Sequence, residues 1–342
     1  MGQMTDYRHE ILAKLRDVAA APEHGLSASA AAVIAPDSVW DVAHPVNRLE
    51  GREAIVGQFL VPLKKALSHM RRRDEIFIGG QNIRHEKGTW VASVTHYVGT
   101  FDRTLFGLAP SGKLSFVRSG EFFRIVDGQI AEAKIIIDLP DLARQAGRLP
   151  FPRLLGTEMM FPGPATHDGV CPTTGTAAAS LEVVEAMLGD LHVYDPDSNH
   201  SPGQTGADGR WHDDMLWYGP GGVGSTYRWQ GFVGDHRAAF LKAFPDRKGG
   251  NHYCRIGDGN YAAVSGWPSM TMTHQDTYLG VPATGQALTL RVMDFYRCEF
   301  PAGRGKIMEN WVCLDYVDLF RQMGIDVIER ANALDPQTSF VT

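Results

Sequence analysis

Asp315 closes the run Ile307-Met-Glu-Asn-Trp-Val-Cys-Leu, whose residues alternate in the manner of a β-strand. A period of two puts Ile307, Glu309, Trp311, Cys313 and Asp315 on one face. If that face lines an enclosed interior, a carboxyl stands beside an indole with little water around it. Such a setting disfavours the carboxylate and raises its pKa. A carboxyl that titrates near neutrality can take a proton and give it back. The same residue also reads as a helix N-cap, because Asp315 and Asp318 open an apolar run. His274 ends Ser269-Met-Thr-Met-Thr-His and shares a face with Met270 and Met272. A neutral imidazole there could donate to an enolate oxygen or relay a proton, or could be a satisfied core residue.

Three further places carry polar chemistry. Asp294 stands mid-strand in Leu290-Arg-Val-Met-Asp-Phe-Tyr and needs a partner, for which Arg291 and Arg297 are candidates. His252 and Cys254 alternate on another strand without a third ligand, so no metal site is expected. The glycine-rich stretch from Trp217 to Trp229 lacks the Gly-Lys-Ser/Thr of a phosphate loop and reads as a tight turn at a pocket mouth. From that rim Tyr218 and Arg228 could reach a carbonyl or carboxylate. Trp217, Trp267 and Trp311 would shape a pocket for a flat, apolar ligand.

The elements that must hold these residues occur twice. Asp138-Leu-Pro-Asp-Leu-Ala-Arg-Gln-Ala-Gly147 returns as Asp315-Tyr-Val-Asp-Leu-Phe-Arg-Gln-Met-Gly324, with six of ten positions identical, and Gly128-Gln-Ile precedes the first as Gly305-Lys-Ile precedes the second. One fold is used two times. The expected order in the first copy is a helix capped by Thr5, a strand over Val39–Ala43, a helix from Gly51 to about Leu67, then strands over Glu75–Ile78, Thr89–Tyr97, Ser115–Ile125 and Ala131–Ile137. The second copy repeats it, with helices over Ala177–Leu188 and Gly231–Phe244 and strands from Met215, Asn251, Tyr261, Ala287 and Ile307. Residues 1–150 form a first domain, 151–176 a Pro- and Gly-rich linker and 177–335 a second domain. The class is α+β, helices against a curved sheet.

A net charge of −6 gives no electrostatic footprint for nucleic acid or an anionic membrane. The one basic run, Arg71-Arg72-Arg73, reads as a solvated helix end. The four cysteines are not paired as Cys-x-x-Cys, and neither a signal peptide nor a membrane span is expected, which makes the cytoplasm the default location. Five of the seven tryptophans lie in the second copy, which is therefore expected to hold the better-formed pocket.

Thr273-His-Gln-Asp-Thr-Tyr-Leu-Gly-Val-Pro-Ala-Thr-Gly285 and Gly305-Lys-Ile-Met-Glu-Asn-Trp-Val-Cys-Leu-Asp315 resemble the two signature runs of the SnoaL-like polyketide cyclase family, in the nuclear-transport-factor-2-like superfamily. The first copy matches less well. It keeps Thr95-His96, Ser111-Gly112-Lys113 and Asp138, but carries Lys134 where the family has Trp. The resemblance implies two cone-shaped α+β barrels, each a curved and mostly antiparallel sheet closed by helices. It implies aldol-type ring closure of a small apolar or polyketide-like carbonyl ligand, or a related isomerisation or dehydration, without metal or cofactor. Asp315 would be the acid/base and His274 the enolate stabiliser, with His96 and Asp138 as first-copy counterparts. Two copies in one chain could mimic the dimer of single-domain relatives, and the pair could form a homodimer in turn. The alternative is a non-catalytic ligand-binding or dimerisation module. An epoxide hydrolase would need Asp294, Arg228 and Asp315 to converge.

Overall fold

A computed structural model describes residues 6–336 apart from 85, 86, 159, 192, 194, 196–200, 202 and 203. Thr5 lies outside the described residues, and Asp6 caps the first helix by accepting from the Arg8 main-chain N–H.

The first copy opens with α1 (Tyr7–Ala20) and α2 (Leu26–Ala31), followed by β1 (Ile34–Val42) and β2 (Arg48–Glu50). α3 (Arg52–Ile55), a π-helical stretch and α4 (Val61–Ala66) form one rod. β3 (Leu67–Gln81), β4 (Thr89–Phe101), β5 (Lys113–Val126), β6 (Gln129–Ile137) and α5 (Leu139–Gln145) complete it. The second copy has α6 (Ala177–Asp190), β7 (Trp211–Tyr218), β8 (Thr226–Tyr227), α7 (Arg228–Gly231), a second π-helical stretch, α8 (Ala238–Ala243), β9 (Cys254–Asp258), β10 (Tyr261–Thr273), β11 (Ala287–Glu299), β12 (Lys306–Leu314), α9 (Tyr316–Gln322) and α10 (Val327–Asn332). The six-stranded sheets have equivalent orders, β2-β1-β6-β5-β4-β3 and β8-β7-β12-β11-β10-β9. In each, the pairing of the first long strand with the last is parallel and the rest is antiparallel. The expected α+β class with curved sheets holds, although neither sheet closes into a barrel.

Each sheet has two apolar faces. One packs under its own helices. The other packs against the other copy, and there Phe122 meets Phe295 with ring centroids 5.5 Å apart and Trp90 meets Tyr253 at the same distance. Ile76, Ile78, Val94, Cys254, Ile256, Met293, Trp311 and Cys313 fill the same layer. Fully burying one such large side chain is worth about 1.5–3 kcal/mol. The sheets come so close that a Cβ on Gly120 would lie 2.9 Å from Cys313 Sγ, so only glycine fits that position. The linker straps both halves. Gly169 and Cys171 bond the main chain of Phe77 in β3, while Thr157 exchanges two hydrogen bonds with Ser225 of the second copy.

Two sequence expectations change here. Arg71–Arg73 lie within β3, which begins directly after the helix, and the Arg72 side chain is buried. β12 alternates as expected, but the Trp311 and Cys313 face points at the other copy and not into a cone interior. A strand covered on both sides presents two apolar faces, so alternation alone does not say which one encloses a ligand.

Candidate functional site

Asn310, Val312 and Leu314, on the opposite face of β12, form half the floor of a 170 Å³ cavity between the second sheet and its helices. Leu290, Val292, Asp294 and Tyr296 of β11 form the other half. Antiparallel register sets Asp294 opposite Val312 and Tyr296 opposite Asn310, which gathers the polar groups at one end of the floor. Parallel pairing then brings Trp217 of β7 beside Asn310. Over the floor runs the α7–α8 rod, which presents Phe232, His236, Arg237 and Phe240 at helical spacing. The rim carries His252, Gly249, Gly250, Arg247, Leu188 and Leu191.

Asp294 is the acid of this cavity. Asn310 Nδ2 donates to its Oδ1 at 3.4 Å, and the Tyr296 hydroxyl bonds the same carboxyl. Among the described residues no cation pairs with it, so neither Arg291 nor Arg297 serves as the expected partner. Burial pushes its pKa up to about 7, and the two hydrogen bonds pull it only partly back. Asn310 is itself fixed by donating to the Phe295 carbonyl at 3.1 Å. His236 stacks on Trp217 with centroids 4.3 Å apart. Burial, then the charges of Arg237 and Arg247, push its pKa down to about 3, so the ring is neutral at pH 7. His252 Nδ1 accepts from Arg255 Nε at 3.1 Å, which leaves the ring hydrogen on Nε2.

Of the residues singled out in the sequence, the cavity takes Trp217, His252 and Asp294. It does not take Asp315. Burial raises that carboxyl as expected, but Arg291 pairs with it at 2.9 Å, and it accepts from the main-chain N–H of Asp318 at 3.1 Å and of His44 at 3.3 Å. It caps α9 and reaches across to the first copy. Asp138 does the mirror-image job. It caps α5 through the Asp141 N–H, pairs with Arg118 and accepts from Gly221 N–H of the second copy. The duplicated aspartates are therefore crossed caps at the junction of the copies, and the glycine-rich turn serves that junction.

His274 is buried past the end of β10, where its Nδ1 meets Thr284 Oγ1 at 3.1 Å and its ring packs on Phe244, away from the cavity lining. Tyr218 donates to Glu309, and Trp311 donates to the Pro162 carbonyl, both on the face between the copies. Trp267 lies under the Arg291 guanidinium. Arg228 is exposed and pairs with Asp214, so Asp294, Arg228 and Asp315 do not converge. His96 is buried beside Glu75 at 3.4 Å, outside the lining of the first copy's cavity.

Asn310, Tyr296 and His236 had no motif to announce them. Their only signal was polarity on the face of β12 opposite Trp311, a neighbouring tyrosine on β11 and a histidine one turn before Phe240.

The model of the SnoaL-like polyketide cyclase family matches residues 14–146 and 205–323, which together exceed half of the chain. No curated protein matches it. Among solved structures, a candidate SnoaL-like polyketide cyclase from Jannaschia sp. CCS1 is 19% identical, covering 42% of this chain and 92% of its own, with a TM-score of 0.34. Wild-type IdmH from Streptomyces antibioticus is 20% identical over 41% of this chain and 98% of its own, TM-score 0.33. AclR from Streptomyces galilaeus is 22% identical over 42% and 99%, TM-score 0.33. With its family signature matched once in each half, the chain belongs to the SnoaL-like polyketide cyclase family as a tandem duplication.

Proposed function

We propose that the second copy is a cyclase-type enzyme that abstracts a proton α to a carbonyl, with Asp294 as the acid/base. The observation that carries this reading is a carboxyl inside an apolar cavity, held by neutral donors and titrating at about 7. A base with that pKa is half in its working form at neutral pH and strong enough to act. The Asp294 carboxylate takes the α-proton, and the C–H electron pair moves into the C–C bond as the carbonyl π pair moves onto oxygen. Once Asp294 holds the proton it can donate to the Tyr296 oxygen, which turns the Tyr296 O–H toward the enolate oxygen as a neutral donor. The enolate carbon attacks a second carbonyl of the same molecule, and the new alkoxide takes the proton back from Asp294. No oxidant, reductant or external co-reactant enters. The small-ligand specificity implied by the family fits the aromatic walls.

The test is α-proton exchange of a small ketone in D2O, followed by NMR. Wild-type protein should accelerate it and Asp294→Asn should not. Binding without exchange by either protein would favour the ligand-binding module instead.

A further inference from the structure

The cavity's volume and the distribution of its lining narrow the ligand further. An apolar cavity of about 150 Å³ accommodates benzene, whereas sites for drug-sized ligands run to about 300–1,000 Å³. This cavity measures 170 Å³. Its polar end is Asp294, Tyr296 and Asn310, and the floor beyond them is aliphatic, with Val292 facing Leu314 and Val312 beside them. Leu290 continues that apolar end, and Phe240 closes it from above. Phe240 is in turn backed by Phe244 and Tyr278, with centroids 4.9 and 5.9 Å away, so the far wall is a packed aromatic stack and not a loose rim. A close-packed wall yields little without cost.

We infer that this cavity takes an enolisable carbonyl compound of one six-membered ring with short substituents, seated with its α-carbon at Asp294 and its ring over Val292, Val312 and Leu314. The orientation of the carbonyl rests on the acid/base reading above; the limit on ring number does not.

The experiment is a ring series: acetophenone, 1-tetralone and anthrone, with binding measured by calorimetry on the full chain and proton exchange measured separately by NMR, at the α-carbon of the first two and at C10 of anthrone. In a site without a far wall each added ring would tighten binding, because more apolar area leaves water. Here the order reverses, with anthrone at least tenfold weaker than acetophenone and tetralone between them. Leu290→Ala enlarges the apolar end and should move the optimum toward tetralone. Asp294→Asn should keep the size order while losing exchange, so the two readings fail separately. Anthrone binding as tightly as acetophenone, or no binding by any of the three, overturns the ring limit.

Discussion

The two copies place a carboxyl at the same position in the sheet and treat it in opposite ways. Asp294 and Glu121 both pair directly with the residue that precedes the cap by three, Val312 in one copy and Ile135 in the other. Glu121 is met by Arg72 at 2.7 Å and by the Tyr97 hydroxyl at 2.7 Å, and Arg72 also holds Asp74 at 2.6 Å. The first copy's cavity is accordingly reduced to 20 Å³, with Arg72 and Tyr97 in its wall. The surrounding register tells the same story. Asn310, Tyr296 and His236 answer to Ala133, Phe123 and Phe59, while Trp217 answers to Trp40. One element explains why. β3 has 15 residues and carries Arg72 over the pocket, whereas β9 has 5 and leaves Gly249 and Gly250 at an open rim. A carboxyl becomes a titrating acid or a structural ion pair according to whether a neighbouring strand brings a cation to it.

The comparison can be broken most directly at the acids themselves. Asp294→Asn should lower the exchange rate by about 10²–10⁴-fold, the usual worth of a positioned acid/base, while Glu121→Gln leaves it unchanged in the folded protein. A Glu121 variant that lost activity without losing structure would put chemistry in the wrong half. Next comes stability. Arg72→Met leaves Glu121 buried without a cation, while Asp74 keeps Arg16, and should cost about 3–5 kcal/mol in denaturant unfolding. Asp315→Ala removes a cap, an Arg291 partner and a bond to His44, and should cost about 1–2 kcal/mol with exchange activity retained. Loss of turnover with an undisturbed melting curve would return Asp315 to the catalytic role.

The pH dependence sharpens the same contrast. The working form of Asp294 is the carboxylate, so the rate should rise through about pH 7 and level off above it. The stability sign is opposite. The folded carboxyl titrates above its unfolded value of about 3.9, so the native state binds the extra proton between these values and loses stability as pH rises through about 7. Asp294→Asn should therefore melt above wild type at pH 8, with the gap closing below about pH 4. A gap independent of pH would show that Asp294 titrates normally.

The fold was legible because the duplication is written in turn and cap residues that local sequence determines. Asp138 and Asp315 open helices wherever they stand, and the spacing from the preceding glycine turn fixes the strand between. The site was less legible. Trp311 and Asn310 differ by one residue, hence by one face, and the sequence of β12 is apolar on both. The decision between them lies in the packing of a second sheet whose strands are far away in the chain. Arg72 failed for a similar reason: three arginines in a row look like a solvated surface, and only the register with Tyr97 and Ser93 buries the middle one.

The crossed caps bear on whether the halves can be parted. Each aspartate finishes its own helix while taking a main-chain hydrogen from the opposite half, and each sheet lends the other its dry cover. A gene cut in the linker would yield two fragments with bare greasy flanks, insoluble when made alone and rescued when made together.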